Sequence, residues 1–477
     1  MSEILDTKPN EHRQPDAANR LGVEPIGRLL LKFSIPAISG MLLTALYNVV
    51  DRAFVGHGVH ELALGGLSLV LPLQTLSMAF AMLFGIGAAN MISMRLGQRR
   101  VEEAEKALNH CFWLLLISGL IITIAELALL DPLLTQLGAQ EGSDSINYAR
   151  KYYRIILIGN VFFVVGFGLS HSTRAQGLPM ISMIGMFIGA GLNLILDPIF
   201  IFVCDWGVEG AAIATIISQF CSTAWMLYFN LGKKAVIKLK ILPFHPSAKI
   251  IISIMSFGSA QFLLQFVISF VQLLLNKSMG WYGVESLGVA NGGDIAVSGM
   301  NIVGTLSMLI LMPVFGLNQG AQPILGFNYG AKKFDRVRKT FILSALGASC
   351  ICFVGFLFAE IFPRFLVGMF VSNGSAELVM WTIWAIRVSS IFLPLNGFQI
   401  ISANMFVVTG RPKTSIFLAM MRQVIVLIPF LLILGKFFGI YGVVSAIPVA
   451  DGVSAMVTSV MIFLELKKLK KQSDGTL

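Results

Sequence analysis

Apolar residues run along this chain in long blocks broken by short polar segments, without the alternation of a half-buried strand. Blocks lie near 29–50, 62–92, 107–130, 152–172, 180–204 and 208–231, and again near 250–276, 286–315, 340–362, 379–408, 414–435 and 439–464. A helix of about 20 apolar residues crosses the hydrocarbon of a bilayer, so the pattern predicts an all-α polytopic membrane protein of about twelve spans.

The longest basic interruption, Lys233-Lys234-Ala235-Val236-Ile237-Lys238-Leu239-Lys240, divides the spans six and six. The two sets repeat one another at an offset of about 233. Gly87-Ala88 and Gly97-Gln98-Arg99-Arg100 match Gly320-Ala321 and Gly330-Ala331-Lys332-Lys333, Arg154 matches Arg387, Gly177-Leu178-Pro179 matches Gly410-Arg411-Pro412, and Gly207-Val208-Glu209-Gly210 matches Gly439-Ile440-Tyr441-Gly442. Chance similarity between apolar segments would not keep one register through so many loop residues. With an even number of spans in each half, both halves begin and end on the same side, and the axis relating them runs along the membrane normal. The expected organisation is a tail at 1–27, a first lobe at 28–231, a linker at 232–249, a second lobe at 250–466 and a tail at 467–477, forming two pseudo-twofold-related six-helix bundles with the transport pathway between them. The tail at 1–27 lacks the apolar stretch and cleavage site of a signal peptide and reads as a loose cytoplasmic segment.

Composition agrees. Of 477 residues, 56% are hydrophobic and only 13% charged, about half the charged share of soluble domains. The net charge of +10 does not imply nucleic acid, because 26 of the 35 Lys and Arg fall in the amino tail with the start of helix one, the even-numbered loops and the carboxyl tail. That distribution puts both termini in the cytoplasm. Cys111, Cys204, Cys221, Cys350 and Cys352 have neither disulfide nor metal spacing. No Walker-type or catalytic constellation sits on a sizeable soluble segment, so no enzyme activity, cofactor, structural metal or ATP-driven pumping is expected.

Carboxylates within spans usually face a watery cavity and mark an ion or substrate route. Asp51 closes helix one four residues after Tyr47, and Asp197 lies in helix five four residues after Asn193, a spacing that puts each pair on one helix face. Asp51 is about 22 residues and Asp197 about 17 residues into outward-running helices, so at 1.5 Å per residue both reach the outer half. Thr215, about seven residues into the inward-running sixth helix, has a similar depth. Oxygen ligands of this kind suit a proton or a hard cation such as sodium. Asp51 can alternatively be an interfacial partner of Arg52, and Asp197 a capping or hinge residue beside Pro198, whose ring frees a carbonyl. In the second half, Asp294 is either a cation ligand or a bland residue at the entrance of helix eight, and Asp451 either lines the cavity or neutralises a buried arginine. Arg387 and Arg422 read as structurally paired or snorkelling, and Glu126 and Glu360 as interfacial. The 22 Met and 36 Phe supply soft and aromatic surface that could hold flat cations, although packing is the commoner use. Gly85-Ile86-Gly87-Ala88-Ala89 reads as a close helix-packing stretch.

These residues resemble the multidrug and toxic compound extrusion (MATE) family, in its bacterial MepA-like branch. The resemblance covers nearly the whole chain. It rests on Pro36 to Gly56 with Tyr47-Asn48-Val49-Val50-Asp51-Arg52-Ala53-Phe54-Val55-Gly56, on Arg174-Ala175-Gln176-Gly177, on Asn193 to Pro198, and on the twofold repeat. It implies a V-shaped pair of lobes in a bacterial cytoplasmic (inner) membrane, working as a monomer. Such a protein exports cationic or amphipathic drugs by alternating access, driven by inward flow of H+ or Na+. It also implies a first-lobe cation site of Asp51, Asn193 and Asp197, where Na+ could sit, with Tyr47 and Thr215 beside it. The sequence departs from the family in the second lobe, where some members place acids in helices seven and ten. Here those helices carry Gln261, Gln265 and Gln272, and Asn396 and Gln399. The alternative substrate is a lipid-linked or other amphipathic molecule moved by a flippase, disfavoured because the deep cations number only Arg387 and Arg422.

Overall fold

The computed structural model describes residues 16–58, 61–136, 144–233, 235–242, 245–289, 291–370 and 375–474, with side chains at all of these except 16–18, 48, 49, 51–53, 55–58, 61–69, 136, 144 and 145. After α1 (Asp16–Val23), the first half comprises α2 (Ile26–Gly58), α3 (Glu61–Gly97), α4 (Val101–Ala128), the short α5 (Leu130–Gln136), α6 (Asp144–Ala175), α7 (Pro179–Pro198), a π-helical turn Ile199–Val203, and α8 (Gly207–Leu231). The second comprises α9 (Ala248–Leu287), α10 (Gly292–Gly330), α11 (Phe334–Ile361), the short α12 (Pro363–Gly368), α13 (Ala376–Ser390), α14 (Leu393–Val408), α15 (Pro412–Met420), a second π turn Met421–Val426, and α16 (Leu427–Ser473).

Ten continuous helical runs among the described residues are long and apolar enough to cross a membrane, and α13 with α14, bent by 49°, makes an eleventh. The last run, Pro412–Ser473, is 62 residues, about 93 Å of helix at 1.5 Å per residue, or three hydrocarbon thicknesses. It breaks at Gly439 (φ 58°, ψ −139°), which only glycine adopts readily, and so supplies two spans. That gives the twelve expected.

Backbone conformation repeats in the same register as the sequence. Left-handed residues occur at Arg99 and Lys332, at Gly177 and Gly410, and at Gly207 and Gly439. The helices α4 and α11 are each 28 residues long and begin at Val101 and Phe334. Within the first bundle α3 packs on α6, α6 on α8 and α7 on both α2 and α8; within the second, α11 packs on α14 and α9 on α15 and α16. The bundles meet where α2 and α3 cross α9 and α10.

Two reciprocal glycine crossings set how closely they meet. A Cβ on Gly87 would overlap the Ile254 carbonyl and one on Gly258 the Leu83 carbonyl, while Gly97 abuts Phe327 and Gly330 abuts Met94 in the same way. Backbone on backbone at this separation leaves no room for a side chain. The second crossing lies beside Arg95, Arg99, Arg100, Lys332 and Lys333, at the basic end of the bundle. Between the crossings, buried Gln322 donates through Nε2 to Asn90 Oδ1 at 2.6 Å. Large aliphatic and aromatic side chains such as Ile124, Ile158, Leu273 and Val354 face outward, while Asn90, Asn328, Asp197 and Asp451 lie inside, the distribution expected when lipid is the solvent.

Part of the segment expected as a loose tail is ordered. Leu21 is 0% exposed, and the last carbonyls of α1 and its exit turn are bound by the second lobe. Asn328 Nδ2 donates to Leu21 O at 3.0 Å, Lys333 Nζ to Gly22 O at 2.8 Å, and Arg336 Nη2 to Leu21 O at 3.1 Å and Glu24 O at 2.6 Å. Unsatisfied carbonyls at a helix C-terminus carry partial negative charge, and cations stabilise them there. Arg336→Ala removes two of these charge-assisted bonds, worth about 1.5–3 kcal/mol each. Trypsin cleavage after Arg20 is therefore expected to accelerate by about a hundredfold or more, and an unchanged cleavage rate would show that the docking contributes nothing.

Candidate functional site

The first-lobe site is built by a proline and a hydroxyl from the neighbouring helix. Pro179 opens α7 after the left-handed turn at Gly177, and Pro198 ends it. Without an N–H, Pro198 cannot bond the Leu194 carbonyl, and the chain widens into the turn Ile199–Val203, where Cys204 N donates to Ile199 O at 2.9 Å. The start of α8 packs directly on this turn, with no room at Gly210 for a side chain against the Phe200 carbonyl. Such π turns inside helices recur at functional positions.

In the last two turns before this distortion sit Asn193 and Asp197, 3% and 1% exposed. Asn193 Nδ2 donates to Asp197 Oδ1 at 3.1 Å and to Thr215 Oγ1 on α8 at 3.3 Å. The structure thus joins three of the residues singled out from sequence. Asn193 Oδ1 is buried and accepts no hydrogen bond among the described residues, an orphan acceptor of the kind that a proton donor or a hard cation would satisfy. Tyr47, on α2, is half-buried, and α2 packs along α7. The Asp51 side chain lies outside the described residues. Asp294 is exposed on the first turn of α10, and among the described residues no hydrogen bond links it to the cluster.

Asp451 in the second lobe is buried and pairs with a half-buried arginine. Arg422 Nε donates to Asp451 Oδ1 at 2.7 Å, Asn396 Nδ2 to Asp451 Oδ2 at 3.1 Å, and Gln399 Nε2 to Asp451 O at 2.8 Å. Arg387 lies 3.7 Å from Glu360, both partly exposed. Glu126 departs from the interfacial reading. It is 3% exposed, one oxygen accepts the Tyr153 hydroxyl at 2.9 Å, and the other has no partner among the described residues. Its position near the end of α4 suggested solvent, but α5 and α6 fold back over that end, burying Leu130, Leu134 and Tyr153. Only the short Leu130–Gln136 helix, unrecognised in the sequence, could have signalled this.

Two six-span bundles meeting at a glycine-lined seam, with a carboxylate site buried inside one of them, define a polytopic membrane transporter. The chain belongs to the MatE family, whose model matches residues 36–199 and 261–433, one stretch in each bundle. The multidrug export protein MepA of Staphylococcus aureus is 27% identical over 442 residues, covering 92% of this chain and 94% of that protein. MepA of Staphylococcus saprophyticus is 26% identical over 437 residues, covering 91% and 93%. Among solved structures, a multidrug resistance MATE family transporter of the MOP superfamily in an outward-facing conformation superposes with a TM-score of 0.88 at 26% identity, covering 96% of this chain and 100% of that one. A MOP superfamily transporter from Pyrococcus furiosus, described as having a binding pocket of reverse polarity, gives 0.89 at 26% identity with the same coverage.

Proposed function

We propose that this chain is a secondary active multidrug exporter of a bacterial cytoplasmic membrane. It would exchange organic cations or amphipathic drugs for inward-moving H+ or Na+ by alternating access, with both termini in the cytoplasm. The observation that carries the reading is Asp197, a carboxylate buried within a span, with Asn193 and Thr215 beside it and a widened helical turn directly after it. Burial penalises a charged carboxylate unless a counter-charge or hydrogen bonds offset the lost hydration. Such a group therefore has two low-energy occupancies, protonated or cation-bound, and a drug-facing state in which an organic cation supplies the charge. The helix beyond Pro198 lacks a regular hydrogen-bond ladder and is where a change at Asp197 can alter the bend. Similarity to the MepA multidrug exporters supports the substrate class, and the basic end of the bundle supports the orientation.

The test is purified protein in liposomes with a fluorescent organic cation, ethidium, under an imposed pH gradient and then a sodium gradient. One exchanged proton per unit of pH gradient is worth about 1.4 kcal/mol, so accumulation should approach about tenfold per unit if protons drive it one for one. Accumulation under neither gradient would remove the antiport reading.

A further inference from the structure

The second lobe holds a cavity of about 170 Å³ between α9, the turn Met421–Val426 and α16, lined by Gln272, Arg422, Gln423 and Asp451 together with Val271, Leu275 and other apolar side chains. Its polar wall is asymmetric. Both Asp451 oxygens are engaged, one by Arg422 Nε and the other by Asn396, and Asp451 is 2% exposed against 26% for Arg422. The guanidinium is held from behind at Nε, while its Nη groups make no hydrogen bond among the described residues. The Gln423 amide, next along the same π turn, also makes none and is half-buried. What the cavity presents is therefore a fixed cationic fork, an amide and an apolar wall. A cation entering would meet Arg422 before it could reach the carboxylate.

We propose that this cavity binds the carboxylate group of an amphiphilic organic acid, held by the Nη groups of Arg422 and the Gln423 amide with its apolar body against Val271, Leu275 and Leu427. The planar fork of Arg matches a carboxylate, and such pairs are the stronger hydrogen bonds. Asp451 retains Asn396 as a donor when the guanidinium is shared, so entry of a monoanion does not strip its partners. A phosphate dianion would call for more than this single cation. The volume, below the roughly 300–1,000 Å³ of drug-sized pockets, suits the acid end of a ligand and one ring. The binding itself is independent of the transport reading.

The experiment is a fluorescence titration of the purified full-length protein with dansylglycine and with its uncharged analogue dansylglycinamide. The acid should bind on the order of tenfold tighter than the amide, the ratio expected when charge-assisted hydrogen bonds are lost. Because Arg422→Gln alone leaves Asp451 buried beside a neutral partner, the informative variant is Arg422→Gln with Asp451→Asn, which keeps a neutral hydrogen-bonded pair. Its folding is checked by size-exclusion profile and thermal melting. In that variant the preference for the acid should vanish, and Gln423→Leu should reduce it several-fold. Equal binding of acid and amide to the unaltered protein, or an undiminished preference in the folded double variant, overturns the proposal. Ethidium transport is scored separately, so absence of acid preference in the unaltered protein with intact gradient-driven transport removes this inference alone, and acid preference without gradient-driven transport removes the antiport reading alone.

Discussion

Asp197→Asn should abolish gradient-driven accumulation while the protein still inserts and folds. The substitution keeps the shape and one acceptor oxygen, so Asn193 Nδ2, now 3.1 Å from Asp197 Oδ1, retains a partner. The stability change should stay within about 1 kcal/mol, the net worth of an ordinary hydrogen bond. What disappears is the ability to exist in charged and neutral forms. Without that alternation a pH or sodium gradient has nothing to act on at this position, and the accumulation ratio should fall from about tenfold per pH unit to about one, with downhill leakage remaining. The measurement is ethidium accumulation in liposomes at matched protein incorporation. Wild-type accumulation by a correctly inserted Asp197→Asn protein would place the coupling carboxylate elsewhere, with Glu126, buried and with one unpartnered oxygen among the described residues, the next residue to substitute.

The second large effect is conformational. Gly258 sits against the Leu83 carbonyl and Gly87 against the Ile254 carbonyl, across the seam between the bundles rather than inside either one. Gly258→Val places a branched side chain against backbone, which no rotamer change can relieve. Overpacking costs about 1–3 kcal/mol or more, and here it falls only on the state in which α3 and α9 touch. If the bundles part at this end during transport, the equilibrium between closed and open states should shift by roughly 10–100-fold toward the open one. Spin labels at Arg100 and Lys339, both exposed and in opposite bundles, in a background without the five native cysteines, should report a longer distance. An unchanged distance distribution in a folded Gly258→Val protein would mean that the seam yields without opening.

The spans and the bundle division were legible because each rests on a long-range regularity. A block of about 20 apolar residues has one economical use in a bilayer, and an offset held from Gly87 to Gly442 has one economical explanation, a duplicated six-helix unit. The same regularity located α7 and α8, and i, i+4 spacing was enough to put Asn193 and Asp197 on one face. Tertiary facts were less accessible. The glycine run at Gly85–Gly87 announced close packing, but its partners, Gly168 within the bundle and Ile254 across the seam, are 83 and 167 residues away from Gly85 and Gly87. The sequence leaves neutralisation of a buried arginine as one of two alternatives for Asp451, and only the structure shows that its pairing with Arg422 turns the guanidinium toward a cavity. Neither π turn has a counterpart at the matching position of the other half, so the repeat offered no guide to them. Glu126 reads as interfacial in the sequence because distance along a helix does not measure depth once a short helix folds back over its end.

The docking of α1 has a bearing on how the chain is made. Leu21 O is bound by Asn328 and Arg336, separated from it by 307 and 315 residues. At about 5–20 residues per second of synthesis, the first turns of the nascent chain wait on the order of 15–60 s before their partners exist. Through that interval α1 has only α3 of the first bundle to pack on, and its last carbonyls wait for their second-lobe partners. The join between the chain's beginning and its second half is therefore among the last contacts to form, and a bulky fusion at the amino terminus would disturb late assembly of the two bundles rather than insertion of the early spans.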